Sequence, residues 1–182
     1  MEPPAITRYR RPFLAPLWIT LLIALIGAAV FIAAWRNATT TVVVLVHSVE
    51  KDPGTIDDPP LSAEGEERAQ RLAQTLGAAA HVDAIYVSDD RRARQTAEPL
   101  SERLRRAPIV FAAADARATA ERALRDHAGG TVVVVASDAT LAQMLREVRG
   151  DDPAAAPVTD TEVMYVVSVP SFGRAHELRL RY

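Results

Sequence analysis

Cysteine is absent from this chain of 182 residues. The absence excludes a disulfide-stapled scaffold, a metal site built from thiolates and a cysteine nucleophile. The chain also lacks an excess of charge of either sign, because 21 Lys and Arg stand against 23 Asp and Glu, for a net charge of −2. Without a basic surface field we expect no nucleic-acid partner.

Two patterns that commonly form sites are missing as well. The chain has no glycine-rich phosphate loop, and Gly129-Gly130 directly before an apolar run is typical of a turn. His81, His127 and His176 have no carboxylates at metal-ligand spacing, so we predict that they are surface histidines. The sequence therefore predicts a protein without a bound metal or cofactor.

A long apolar stretch lies near the N-terminus. Residues 13–35 are 23 residues without a charge, and as a helix they would extend roughly 34 Å against a hydrocarbon core of about 30 Å. A cleaved signal peptide is one alternative, although its apolar region usually has only about 7 to 15 residues. A buried core helix is another, but this stretch is apolar all round and not amphipathic. We therefore predict one N-terminal transmembrane helix.

The arginines that flank this stretch predict its orientation. Three of them precede it and only Arg36 follows closely, so the positive-inside rule places the N-terminus in the cytoplasm. The expected organisation is a cytoplasmic tail at residues 1–12, an anchor at 13–35, a linker at 36–40 and a domain at 41–182. The predicted localisation is a single-pass membrane protein whose C-terminal domain is extracytoplasmic, or periplasmic in a Gram-negative cell.

Short apolar runs bounded by polar residues predict the strands of this domain. Such runs favour strands buried on both faces of a sheet, and they occur at residues 41–46, 84–87, 109–111 and 131–135. Residues 163–169 and 175–182 are typical of a hairpin joined through a Pro-Ser-Phe-Gly turn.

Helical patterns alternate with these strands. One helix is expected to be N-capped by Ser62 and ended by Gly77, and a second begins at Ser88 and is bent or interrupted by Pro99. Two more are expected at residues 117–128 and 139–148. The alternation predicts an α/β fold with a mainly parallel sheet, helices on both faces, and an antiparallel edge from the terminal hairpin.

Three segments of the domain carry recognisable motifs. The first comprises VHSVEK at residues 46–51 and DPPLS at 58–62, the second is YVSDDRRARQTAEP at 86–99, and the third is ASDAT at 136–140. Together they resemble the histidine phosphatase superfamily, also called phosphoglycerate mutase-like, and in particular its small bacterial phosphatases. Members have an Arg-His-Gly or Arg-His-Ala motif at the end of the first strand, often followed by Glu-Lys. Their third segment is Gly-His-Ser-Asn-Thr. The resemblance covers residues 41–182.

The resemblance implies roles for individual residues. His47 matches the nucleophile that becomes phosphohistidine, and Arg92 matches an arginine that holds the phosphoryl oxygens. Neutral imidazole is a good nucleophile, and charged phosphoryl oxygens need fixed cationic donors. Two positions depart from the family pattern, because Val46 replaces the arginine before the nucleophile and Ser137 replaces the second histidine.

Other residues are candidates for compensating these losses. Asp138 follows Ser137 as a proton-donating Asp follows the second histidine in some branches of the family, and Glu50 and Asp115 are further candidates for a general acid. Lys51 or Arg91 would have to supply the missing positive charge. The predicted site residues are therefore His47, Arg92, Ser137 and Asp138.

Two functions follow from this sequence and remain open. One is a membrane-anchored phosphomonoesterase that acts outside the cytoplasm through a phosphohistidine intermediate in an impaired phosphate pocket. The alternative is a catalytically inactive pseudophosphatase that serves as a binding or scaffolding module. The expected partners are the membrane, through the N-terminal helix, and a phosphorylated small molecule or envelope component. No protein partner is indicated.

Overall fold

The computed structural model describes residues 17–37, 39–48, 60–79, 81–150 and 163–181. The chain forms two compact units, residues 1–38 and 39–182. The first unit contains helix α1, Leu17–Asn37. Large apolar side chains of α1 such as Trp18, Leu21 and Phe31 are more than 60% exposed. Among the described residues, no helix was found whose length and hydropathy suffice to cross a membrane.

The second unit alternates strands and helices. Its strands are β1 Thr40–His47, β2 Ala84–Ser88, β3 Ile109–Phe111, β4 Thr131–Ala136, β5 Val163–Pro170 and β6 His176–Arg181. Its helices are α2 Ala63–Ala79, α3 Arg91–Leu104, α4 Ala116–Asp126 and α5 Asp138–Arg149, with a 3₁₀ turn at Ala113–Asp115 before α4. The α/β class that the alternation predicts is confirmed.

The six strands form one sheet in the order β3-β2-β4-β1-β5-β6. The four strands β1 to β4 are parallel, whereas β5 is antiparallel to β1 and β6 is antiparallel to β5. The sheet is therefore mixed and not purely parallel. Strand β6 is antiparallel to β5 because a short turn joins the two directly, and a short turn can only reverse the chain.

Apolar side chains from both faces of the sheet build the core. In β1, Val43 and Leu45 belong to a cluster with residues of α4 and α5, whereas Val44 and Val46 belong to a second cluster with residues of α2 and α3. Successive side chains of a strand point to opposite faces. The continuous apolar run of β1 therefore reflects burial on both sides.

The first boundary of helix α2 agrees with the sequence prediction, whereas its last boundary differs from it. Ser62 caps α2 as predicted, because its Oγ accepts a hydrogen bond from the Gly65 amide at 3.1 Å. The prediction that Gly77 ends α2 was wrong, since the helix continues to Ala79. Gly77 instead leaves room for a side chain of α3, because a Cβ at residue 77 would lie 2.6 Å from Cδ of Arg103.

Helix α3 runs through Pro99 without interruption. We predicted that Pro99 either bends or interrupts this helix. The helix is continuous, so the prediction of an interruption was wrong. Proline removes one helical hydrogen bond at a cost of about 3 kcal/mol. Ala97 and Leu100 on either side of it are fully buried against the sheet, and their burial keeps the helix continuous.

Candidate functional site

The carboxyl ends of three parallel strands meet at one edge of the sheet, which we call the carboxyl edge. In the register of the sheet His47 at the end of β1 lies beside Ala136 at the end of β4, and Val87 of β2 lies beside Val135. Helices α3 and α5 begin directly after β2 and β4, so their amide groups and positive dipole ends are at the same edge. In open α/β sheets ligands bind at such an edge.

His47 is held in place by Asp138. The Nδ1 atom of His47 lies 2.8 Å from Oδ1 of Asp138, the first residue of α5, and the two side chains are 1% and 75% exposed. A carboxylate only accepts hydrogen bonds, so in the neutral imidazole the proton of this contact is on Nδ1 and the lone pair is on Nε2. Nε2 is buried and has no hydrogen-bond partner within the described part of the chain.

Ser137 lies between β4 and α5, at the N-cap position of α5. Its hydroxyl donates to Oγ1 of Thr140 at 3.3 Å, and its carbonyl accepts from the Leu141 amide at 2.8 Å. The side chain is half-buried. It can offer a neutral hydrogen bond to a ligand at this edge, but it carries no charge.

Arg92 lies in the first turn of α3 and is half-buried. The start of this helix is held by Asp90, whose carboxylate accepts from the Ala93 amide at 2.9 Å and from the Ser88 hydroxyl. Considering only described residues, Arg92 makes no hydrogen bond or ion pair with His47, Ser137 or Asp138. The fold thus joins His47 to Asp138 directly, adds Ser137 beside them, and leaves Arg92 at the same edge without contact.

Val46 has no role at this edge as the structure stands. It is 0% exposed and packs in the apolar cluster on the α2 and α3 face. Its strand neighbours are Val135 of β4 and Met164 of β5. The position before His47 is therefore an apolar core position.

Ser48 is a candidate that the sequence analysis did not single out. It is 4% exposed, its amide donates to the Ala136 carbonyl at 2.9 Å, and its Oγ is buried without a partner in the described residues. It directly follows β1 and lies beside Ala136 at the end of β4.

The signal for Ser48 was available in the Glu50-Lys51 pair. If this pair matches the Glu-Lys that follows Arg-His-Ala without a gap, then His47 stands in the place of the arginine and Ser48 in the place of the nucleophilic histidine. Matching His47 to the nucleophile requires one inserted residue. The structure places both residues at the carboxyl edge.

The remaining candidates lie elsewhere or outside the described part. Glu50 and Lys51 fall outside the described residues. Asp115 is an exposed residue of the 3₁₀ turn before α4, and Arg91 is exposed at the start of α3. Within the described ranges, no group of three or more His, Asp or Glu side chains is arranged to hold a metal ion.

Part of the chain is similar in sequence to a known protein family. Residues 46–114 match the family model of the histidine phosphatase superfamily, branch 1. This match covers less than half of the chain. It supports the superfamily assignment made from the three motifs. No curated protein sequence gives a significant match.

Solved structures of this superfamily share the fold. The chain is similar to the protein histidine phosphatase SixA complexed with tungstate, with a TM-score of 0.62 and 16% identity, over 77% of this chain and 96% of that one. It is also similar to mycobacterial glucosyl-3-phosphoglycerate phosphatase complexed with VO3, with a TM-score of 0.62, 17% identity, and coverage of 77% and 98%. A third similar structure is Plasmodium falciparum phosphoglycerate mutase, with a TM-score of 0.56, 17% identity, and coverage of 78% and 91%. At these identities the likeness shows the fold alone.

Removing the carboxylate that holds His47 is expected to destabilise the protein. In Asp138→Ala the buried Nδ1 loses its acceptor, which costs about 1 to 3 kcal/mol of unfolding free energy. Asp138→Asn keeps an acceptor of the same size and should retain most of the stability. Urea unfolding of the three proteins measures the difference. Equal losses in both variants would show that the hydrogen bond to His47 is not what Asp138 contributes.

Proposed function

We propose that residues 39–182 form a non-catalytic histidine phosphatase domain, a pseudophosphatase that binds a phosphorylated small molecule or envelope component without hydrolysing it. The observation that carries this proposal is Val46, which is 0% exposed inside an apolar cluster. Strand β1 thus brings no cation to the phosphate from residue 46, which is the family's arginine position when His47 is matched to the nucleophile. Phosphoryl transfer depends largely on such fixed positive donors.

The first motif leads to the same proposal when it is matched to the family through Glu50-Lys51 without a gap, which we call the ungapped register. It puts the hydroxyl of Ser48 where the family has the nucleophilic imidazole, and it puts His47 where the family has arginine. In both registers Ser137 replaces the second histidine by a neutral hydroxyl. Loss of a single preorganised donor lowers turnover by about 10² to 10³, so the combined losses support binding without turnover.

Asp138 adds a further argument against phosphoryl transfer. Its carboxylate lies 2.8 Å from the ring of His47, and an ionised acid repels a phosphate group that approaches the same imidazole. Among the described residues, an anion could still be bound by Arg92, by the Ser48 hydroxyl, which has no partner among them, and by amides at the N-termini of α3 and α5.

A second candidate function is a phosphomonoesterase that acts through His47. It is supported by the hydrogen bond from Nδ1 to Asp138 together with the unpartnered Nε2, an arrangement in which a carboxylate orients an imidazole and leaves its other nitrogen free to react.

An activity assay separates the two candidates. The full-length chain in detergent is expected to hydrolyse a broad panel of phosphomonoesters no faster than its His47→Ala variant. Turnover clearly above that of His47→Ala would contradict the pseudophosphatase proposal and support the phosphomonoesterase.

A binding assay tests whether the carboxyl edge holds an anion. Tungstate titrated into the full-length chain in a calorimeter is expected to bind, and Arg92→Ala is expected to weaken binding about 10-fold or more, because a charge-assisted hydrogen bond contributes about 1.5 to 3 kcal/mol. Arg94→Ala is the matched control, since Arg94 is an exposed arginine on the same helix. Equal weakening by both variants, or no binding by the wild-type chain, would count against an anion site at Arg92.

We further propose that residues 13–35 anchor the protein in a membrane with the domain outside the cytoplasm. The uncharged length of this stretch, the apolar exposed surface of α1 and the arginines before it support the proposal. Residues 13–16 of this stretch lie outside the described residues. The expected result is that the full-length chain floats with phospholipid vesicles and resists extraction by alkaline carbonate.

A further inference from the structure

The turn between β5 and β6 carries an unusually exposed aromatic side chain. Phe172 is 75% exposed, the highest value among the large apolar side chains that are exposed in the described residues. Gly173 beside it has a φ of +113°, and exposed Arg174 follows. A single exposed apolar residue is normal on a protein surface. The position of this turn in the domain, however, is fixed by specific hydrogen bonds.

Hydrogen bonds tie the turn to the first residue of the domain. The Ser171 amide donates to the Thr39 carbonyl at 2.9 Å, and the Ser171 hydroxyl donates to the same carbonyl at 2.8 Å. The hydroxyls of Thr39 and Ser171 lie 3.2 Å apart. The turn is thus attached to the point where the polypeptide enters the domain.

Thr39 is also close in sequence to the apolar helix α1. It follows Asn37, the last residue of α1, by two residues, and two residues of extended chain reach at most about 7 Å. This limit applies to every orientation of the domain. Phe172, next to Ser171 in sequence, is therefore held at the residue where the domain follows α1 in the chain.

From this tether we propose that residues 170–174 form a second membrane contact, in which Phe172 enters the lipid interface and Arg174 meets lipid phosphates. The inference rests on the membrane anchor proposed above. The polar interface of a bilayer is only several ångströms thick on each side, aromatic side chains are favoured there, and basic residues near it are attracted to anionic lipids. The occupant of this surface is thus a lipid bilayer and not another protein.

Because the chain has no cysteine, a single labelled cysteine tests the contact cleanly. Full-length Arg174→Cys carrying an environment-sensitive nitrobenzoxadiazole probe is inserted into vesicles of phosphatidylcholine with phosphatidylglycerol. Its emission is expected to shift to shorter wavelength and to be quenched by spin-labelled lipids. Adding Phe172→Ser should abolish both effects. Ala118→Cys, exposed on α4, is the control site and should show neither effect.

Each result has a defined meaning. A probe at residue 174 that behaves like the probe at residue 118, in chains that float with the vesicles, would overturn the second contact while leaving the anchor intact. An unchanged shift in the Phe172→Ser background would also overturn it, because Phe172 would then not be the inserted group. Chains that fail to float would overturn the anchor and this inference with it, whereas the tungstate assay tests the pocket separately.

Discussion

A chain in which His47 becomes arginine and both Ser48 and Ser137 become histidine is expected to hydrolyse phosphomonoesters about 10⁴-fold faster than the wild-type chain. The three changes return the nucleophile and two cationic groups to the carboxyl edge, according to the ungapped register of the first motif. Single donors of this kind contribute about 10² to 10³ in turnover, and groups that act together do not add simply. Asp138, 2.8 Å from the ring it now holds, would form an ion pair with the new arginine.

The matched comparison is Val46→Arg with Ser137→His, which restores the same groups according to the gapped register. No gain is expected from this pair, because the side chain at residue 46 points into the core on the α2 and α3 face. Turnover of p-nitrophenyl phosphate and of a wider ester panel measures both chains. Activity in the Val46→Arg pair alone would show that His47 is the nucleophile. Inactivity of both chains would mean that more than these side chains has diverged.

Val46→Arg by itself is expected to lower the free energy of unfolding by about 3 to 5 kcal/mol, the range found when a buried charge lacks a partner. Val46 is 0% exposed and lies between β4 and β5 in the middle of the sheet. Native domains are stable by only about 5 to 15 kcal/mol. The thermal midpoint should therefore fall by about 10 °C or more.

Val42→Arg is the control for this substitution. Val42 is on the same strand and packs against the same cluster, but it is only partly buried, so an arginine there can extend its charged end into water. Its thermal midpoint should fall much less. Similar losses in the two variants would indicate that any arginine on this strand is harmful, and that burial at residue 46 is not the cause.

Much of the fold follows directly from local sequence patterns. The valine-rich runs of β1 and β4 predict strands buried on both faces, and the structure has strands there with both faces covered. Ser62 could be recognised as a cap because its hydroxyl acts on the next turn of the chain. Such interactions span a few residues, and the residues alone are enough to predict them.

The failures at Gly77 and Pro99 have a common physical cause. Local preference is weak compared with burial, and both residues lie where α2 and α3 pack on each other and on the sheet. Gly77 lies inside α2, and Arg103 of α3 occupies the space where a side chain at residue 77 would lie. Pro99 remains inside α3 because its neighbours are buried. Neither contact could be predicted without knowing which helices are adjacent.

The candidate site, like the fold, was predicted in part from the sequence and decided in part by the tertiary structure. The three motifs were sufficient to identify the superfamily, and they named His47, Arg92, Ser137 and Asp138 as residues of one site. The pairing of His47 with Asp138, 91 positions apart, was decided by the parallel register of β1 and β4. That register is a property of the assembled sheet and not of either strand.

The sequence by itself determined the resemblance to the superfamily, the order of strands and helices, and the replacement of charged family residues by valine and serine. Only the tertiary structure decided which of these residues lie in the core and which lie at the carboxyl edge. Side chains alternate along a strand, so a difference of one residue in the motif register exchanges the two faces of the sheet. For this reason Val46 is a core residue on the α2 and α3 face, while His47 points to the opposite face, where it meets Asp138 of α5.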